Sequence, residues 1–193
     1  MTEQAPSDGT EGPAVVPDAR SGSLEASRRA RREADEAFSA FYRATIRPLV
    51  GFLINQGASL AVAADIAQDT MTKAYQRWSE LRDPRAWAHT VASRALIRTF
   101  ASVDEDLVGA VPEPTSLLAR PDAIAEWEAR YDARPMLASL PPRQRQALAW
   151  TLAGYTPGDI AELLGLPVDT VRGNLAKARR AAAAYLATKE GQR

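Results

Sequence analysis

The chain has 193 residues, with 24 Lys and Arg balanced against 24 Asp and Glu, one histidine and no cysteine. That length holds one ordinary domain or two small ones, and without cysteine there is neither a disulfide framework nor a thiolate metal site. The zero net charge hides a pattern of −2 over residues 1–35, +3 over 36–100, −5 over 101–135 and +4 over 136–193, so two basic bodies flank an acidic connector.

Residues 1–33 are expected to be a disordered tail: Pro6, Gly9, Gly12, Pro13, Pro17 and Gly22 accompany few large apolar groups to offset ordering entropy. The tail lacks the basic start and apolar core of a secretion signal. The Arg28, Arg29, Arg31, Arg32 run reads as a solvated helix start. Phe38, Phe41, Tyr42, Thr45, Leu49 and Phe52 recur at three- and four-residue steps, predicting a helix over 34–55 that Pro48 should bend or split. A turn at 56–59 leads to a second helix over 60–81. There Leu60, Ala64, Ala67, Met71, Ala74, Tyr75 and Trp78 share one face, while Asp65, Gln68 and Asp69 lie on the other.

Asp83 and Pro84 are the N-cap and first residue of a third helix, 84–100, carrying Trp87, Val91, Leu96 and Phe100. Residues 103–121 are acidic and broken by Gly109, Pro112, Pro114 and Pro121, which predicts an extended, mobile connector. Helical character resumes at 122–134 with Ile124, Trp127 and Tyr131, and again at 140–152. No run alternates as a strand does, so the expected fold class is all-α. The longest apolar stretches, 49–54 and 181–186, fall far short of the roughly 20 residues a membrane span needs. Nothing implies a cofactor or a metal, since the lone His89 cannot build a zinc site by itself.

From Leu140 to Tyr185 the spacing is that of a helix-turn-helix. Ala161 permits a close helix crossing, Gly165 permits a positive φ in the turn, and Val171 anchors the second helix. Ile160, Leu164, Leu166 and Leu175 are expected to point inward. On the second helix Val171, Leu175 and Ala178 share one face; Asp169, Gly173, Ala176, Lys177 and Arg180 lie opposite, with Thr170 and Arg172 on the flanks. That outer, basic face suits a major groove.

The residues Leu140-Pro141-Pro142-Arg143-Gln144-Arg145, Gly154-Tyr155, Ile160-Ala161, Leu164-Gly165, Thr170-Val171-Arg172 and Ala178-Arg179 resemble the promoter −35-reading domain of extracytoplasmic-function (ECF) sigma factors, of the sigma-70 class. Residues 64–69, Ala-Asp-Ile-Ala-Gln-Asp, resemble the acidic motif by which region 2 of that family docks on the β′ clamp helices of RNA polymerase. Lys73-Ala74-Tyr75, Trp78 and Pro84-Arg85-Ala86-Trp87 resemble its −10 region. The resemblance divides the chain into a tail at 1–33, a region 2-like domain at 34–101, a flexible acidic linker at 102–121 and a region 4-like domain at 122–188.

It also implies site residues. Asp65, Gln68 and Asp69 would hold the polymerase. Ser79, Glu80, Arg82 and Arg85 are offered to a flipped −10 base, with Arg94 and Arg98 either extending the basic surface toward phosphates or pairing with acids of another domain, and Thr170, Arg172, Gly173, Asn174, Lys177 and Arg180 to the −35 duplex. Partners would be core RNA polymerase (β′ clamp helices and β flap), promoter DNA and an anti-sigma factor, in the cytoplasm, with no catalytic role.

Two departures stand out. Relatives have an asparagine and an aspartate where this chain has Arg94 and Arg98, and Gly173-Asn174-Leu175-Ala176-Lys177 replaces a common Ser-Arg-Leu-x-Arg. Two other readings therefore stay open: a conventional dimeric helix-turn-helix regulator, and a sigma-like decoy that binds polymerase without melting the promoter.

Overall fold

The computed structural model describes residues 19–105 and 134–191, in which all regular structure is helical. Among the described residues seven α-helices follow in order: α1 Ala19–Asn55, α2 Leu60–Gln76, α3 Pro84–Glu105, α4 Arg134–Ser139, α5 Pro142–Leu152, α6 Pro157–Leu164 and α7 Val168–Glu190. A 3-10 turn, Trp78–Glu80, joins α2 to α3. Residues 1–37 and 38–193 separate as two units. The acidic linker lies outside the described residues from 106 onward, as does the helix expected over 122–133.

Residues 19–33, expected to belong to a disordered tail, are helical. Those from 23 to 33 are exposed, Arg28, Arg29, Arg31 and Arg32 among them. Pro48 does not split α1. The carbonyl it deprives of a donor belongs to Ala44, and Ala44, Arg47 and Pro48 are all exposed, so the lost hydrogen bond lies on the solvent side of the helix. The helix buries Leu49, Phe52 and Leu53 on its other side.

Ser59 caps α2 by accepting a hydrogen bond from the Val62 N–H, and the helix buries Ala63, Ala64, Ala67, Thr70, Met71 and Ala74. It ends at Gln76, short of the expected Leu81, because the Arg77 N–H turns back to the Ala74 carbonyl and the chain tightens into the 3-10 turn. Tyr75 is consequently half exposed, although Phe38 meets its ring at 4.9 Å. The Asp83 carboxylate accepts from the Ala86 N–H, the N-cap that the Asp-Pro pair predicts. α3 then runs past the expected Phe100 and takes in residues 102–105 of the expected linker. Leu96 is buried, but Phe100 is 45% exposed.

Beyond α4, which buries Met136 and Leu137, the helices α5, α6 and α7 form the expected helix-turn-helix unit. A cluster of Met136, Leu137, Leu140, Ala147, Leu148, Leu175 and Ala178 holds α4, α5 and α7 together. The larger core spans both expected bodies. Leu49, Phe52, Leu53, Ala63, Ala67, Met71, Ala88, Ala92 and Leu96 from the first half pack with Trp150, Ile160 and Val171 from the second. Each fully buried Leu, Phe or Ile there is worth roughly 1.5–3 kcal/mol.

Candidate nucleic-acid interface

The helix-turn-helix is built by local chemistry. Thr156 and Asp159 form a reciprocal capping box at the start of α6: the Thr156 hydroxyl accepts from the Asp159 N–H at 3.2 Å, and the Asp159 carboxylate accepts from the Thr156 N–H at 2.9 Å. The Thr156 hydrogen bonds hold the Asp159 carboxyl below its ordinary range. Gly165 ends α6 in the left-handed conformation, φ 67°, and the Leu166 N–H returns to the Ala161 carbonyl at 2.9 Å. Leu166 is 42% exposed, contrary to the inward position expected of it, because this turn carries its side chain past the core.

On α7, Val171, Leu175 and Ala178 are buried as the wheel requires. Thr170, Arg172, Gly173, Lys177 and Arg180 are exposed on the opposite side. Arg172 pairs with Asp169 one turn back at 3.3 Å, an exposed contact that leaves its guanidinium displaceable. Asn174 is half-buried and donates its amide to the Thr170 carbonyl at 3.0 Å, so that donor is engaged within the helix. A Cβ at Gly173 would meet nothing within 4 Å, so packing within the chain does not demand glycine there.

The acidic face of α2 also forms as predicted. Asp65, Gln68 and Asp69 are exposed opposite the buried alanines, and Asp69 accepts an ion pair from Lys73 at 2.6 Å. In the α2–α3 loop Ser79 and Arg82 are exposed, while Glu80 pairs with Arg77 at 2.9 Å.

The expected −10 residues do not all gather at that loop. Arg98 is exposed, but Arg85 donates to the Ala153 carbonyl and lies 5.3 Å from the centre of the Tyr155 ring. Arg94 donates to the Leu163 carbonyl at 3.4 Å. Both arginines thus reach across to the second half of the chain. Between them His89 is sealed, 1% exposed, its ring 4.7 Å from Phe52 and 5.3 Å from Tyr155. Its Nδ1 stands 2.9 Å from the Arg85 carbonyl, which can only accept, so Nδ1 carries the proton. Burial lowers the His89 pKa. Ser93, fully buried, donates to Gln56 at 2.8 Å and receives a longer bond from Gln146 at 3.4 Å.

Gly57 and Arg145 complete this contact. Gly57 takes φ 108°, and a Cβ built on it would stand 2.3 Å from an Arg145 guanidinium nitrogen, so glycine provides the space in which that side chain lies. Arg145 also donates to the Ala138 and Leu140 carbonyls at 3.1 and 2.9 Å. Gln56, Gly57, His89, Ser93 and Trp150 carry no sequence motif, and Arg145 and Tyr155, though part of the −35-domain pattern, carry no mark of these contacts. The one available signal was the isolated pair of aromatics, Trp150 and Tyr155, flanking a turn.

A helix-turn-helix with a basic outer face, joined to a helical bundle with an exposed acidic face, is an arrangement suited to a DNA-binding protein. Residues 41–104 match the family described as sigma-70 region 2, and residues 133–181 match sigma-70 region 4. The probable RNA polymerase sigma-C factor of Mycobacterium bovis is 31% identical over 155 residues, covering 75% of this chain and 80% of that protein. The ECF RNA polymerase sigma factor SigJ of Mycobacterium tuberculosis is 33% identical over 141 residues, covering 65% of this chain and 45% of that one. The chain belongs to the ECF family of RNA polymerase sigma factors, and its function is promoter-specific transcription initiation. Two solved structures share the fold. One is the sigma factor RpoE with the anti-sigma factor NepR from Bartonella quintana, TM-score 0.58 at 20% identity over 78% of this chain and 97% of that one. The other is CnrH with the cytosolic domain of CnrY, TM-score 0.57 at 22% identity over 80% and 90%.

Proposed function

We propose that this sigma factor works through three surfaces placed on separate helices. The exposed carboxylates of Asp65 and Asp69, with Gln68 between them, dock on basic groups of the polymerase β′ clamp. Arg172, Lys177 and Arg180, with Thr170 beside them, meet the −35 duplex. Ser79, Arg82 and Arg98 meet the −10 strand, joined by Arg85 and Arg94 once these leave their present partners. The observation that carries the reading is the clean division of α2 and α7 into one buried face and one charged, exposed face of opposite sign. The protein is a specificity subunit and not itself an enzyme, and it works in the cytoplasm beside the polymerase; among the described residues no helix is long and apolar enough to cross a membrane. An anti-sigma factor is a further partner of the same kind as the fold relatives carry.

The test is run-off transcription with purified core polymerase on promoter fragments, alongside the double variant Asp65→Ala, Asp69→Ala. Promoter-specific transcripts that the double variant loses, together with weakened polymerase binding, support the reading. Unchanged polymerase binding by the variant overturns the docking assignment, and palindrome-specific binding by the protein alone would favour a conventional regulator instead.

A further inference from the structure

We propose that the cavity under the α1–α2 turn, closed from the other side by α4 and α5, binds a phosphate group, carried by free orthophosphate or by a small phosphate monoester. The assignment stands on the cavity's own chemistry and does not depend on the promoter or polymerase contacts proposed above.

The cavity measures about 130 Å³; Asn55, Gly57 and Ala58 line it on one side and Arg134, Leu137 and Arg145 on the other. That volume is close to the ~150 Å³ of an apolar cavity that takes up benzene, so a phosphate group fits. The lining holds two arginines and no acidic residue. Neither arginine is ion-paired with a carboxylate among the described residues. Arg145 is half-buried, and one of its terminal nitrogens is engaged by the neutral carbonyls of Ala138 and Leu140. Its Nε is buried without a partner. A sheltered cation that meets only neutral dipoles is costly, and an anion beside it relieves that cost. Two guanidinium groups, each a fork of donors, suit an oxyanion with oxygens in several directions. Gly57 keeps the place open, since a Cβ there would stand 2.3 Å from an Arg145 terminal nitrogen.

Asn55 selects among oxyanions. The residue is 8% exposed, and its Oδ1, an acceptor, has no partner among the described residues. A carboxylate or a sulfate brings no proton to it near neutral pH. A phosphate with a free end does, because its second ionisation lies at about 6. A nucleic-acid phosphodiester lacks that proton. The lining comes from both halves of the chain, so a bound phosphate favours the state in which they are packed and raises the stability of the whole.

The test is calorimetric titration of the full-length protein with inorganic phosphate and, separately, with glycerol 3-phosphate, in a buffer free of other oxyanions at constant ionic strength. Saturable one-site binding is expected, with a melting temperature that rises with phosphate concentration. Equal affinities assign the free anion, and tighter binding of the ester assigns the monoester. Sulfate should bind at least several-fold more weakly. Asn55→Asp puts a carboxylate into the cavity and should abolish binding. Arg134 is exposed, so Arg134→Ala keeps the fold if the Asn55 variant loses it, and loss of its charge-assisted bond should weaken binding about tenfold. Arg143→Ala, at an exposed position of α5 outside the lining, should leave the affinity unchanged. Absence of saturation, equal binding of sulfate, or an affinity that Arg134→Ala leaves intact overturns the proposal.

Discussion

The ring of Phe52, near the end of α1, meets Trp150 of α5 edge-on, with centroids 5.0 Å apart and planes at 85°. The two residues are 3% and 0% exposed. Through this pair the two sigma regions share one core, so the energetics of the domain contact can be probed at a single side chain.

Replacing Trp150 by alanine removes a fully enclosed ring from that core. The expected cost is about 3–5 kcal/mol, as for other large aromatic truncations. Urea unfolding followed by far-ultraviolet circular dichroism checks it, and a loss below about 1 kcal/mol would mean that the shared core does not persist in solution.

His89 makes the same contact sensitive to acid. Desolvation lowers its pKa from 6.5, and Arg85 lowers it further; the hydrogen bond to the Arg85 carbonyl and the charge of Asp83 act in the opposite sense. The native state therefore binds fewer protons than the unfolded chain, so the stability tied to His89 is present above pH 6.5 and declines as pH falls below it. Urea midpoints measured between pH 7.5 and 5 at ~0.1 M salt should fall, and His89→Phe should flatten the dependence over that window.

Gly165→Ala places a Cβ on a backbone at φ 67°, although no neighbour lies within 4 Å of it. The cost is conformational alone, about 1 kcal/mol. Gly57→Ala adds displacement of the Arg145 guanidinium to a similar backbone penalty and should cost more. Equal losses in thermal denaturation would show that the Arg145 contact contributes nothing.

Lys177→Ala on the exposed face of α7 should weaken binding to −35 duplexes of every sequence and reduce the slope of log K against log salt by about 1. Leu175, two residues away but buried, should instead cost the protein stability when truncated. Anisotropy titrations at several salt concentrations distinguish the two; an unchanged slope for Lys177→Ala would remove it from the phosphate contacts.

The amphipathic periods of α2 and α7 were legible because burial of one helical face leaves a three- and four-residue signature, and the Asp83-Pro84 cap and the Gly165 turn were legible because each satisfies a local backbone requirement. The same locality explains the misplaced ends. Whether α2 stops at Gln76 or continues to Leu81 is a balance between the 3-10 turn and another helical turn, and the apolar pattern through Tyr75 and Trp78 does not distinguish them.

By itself, the sequence determined the helical class, the helix-turn-helix, the opposite charges of the two exposed faces and the family. Only the tertiary structure decided what Arg85, His89, Arg94 and Trp150 do, since each meets a partner 37 to 98 residues away in the chain. A helical period records which face is buried. It carries no record of which distant helix buries it, because that choice depends on the shapes and free carbonyls that several elements present together once folded.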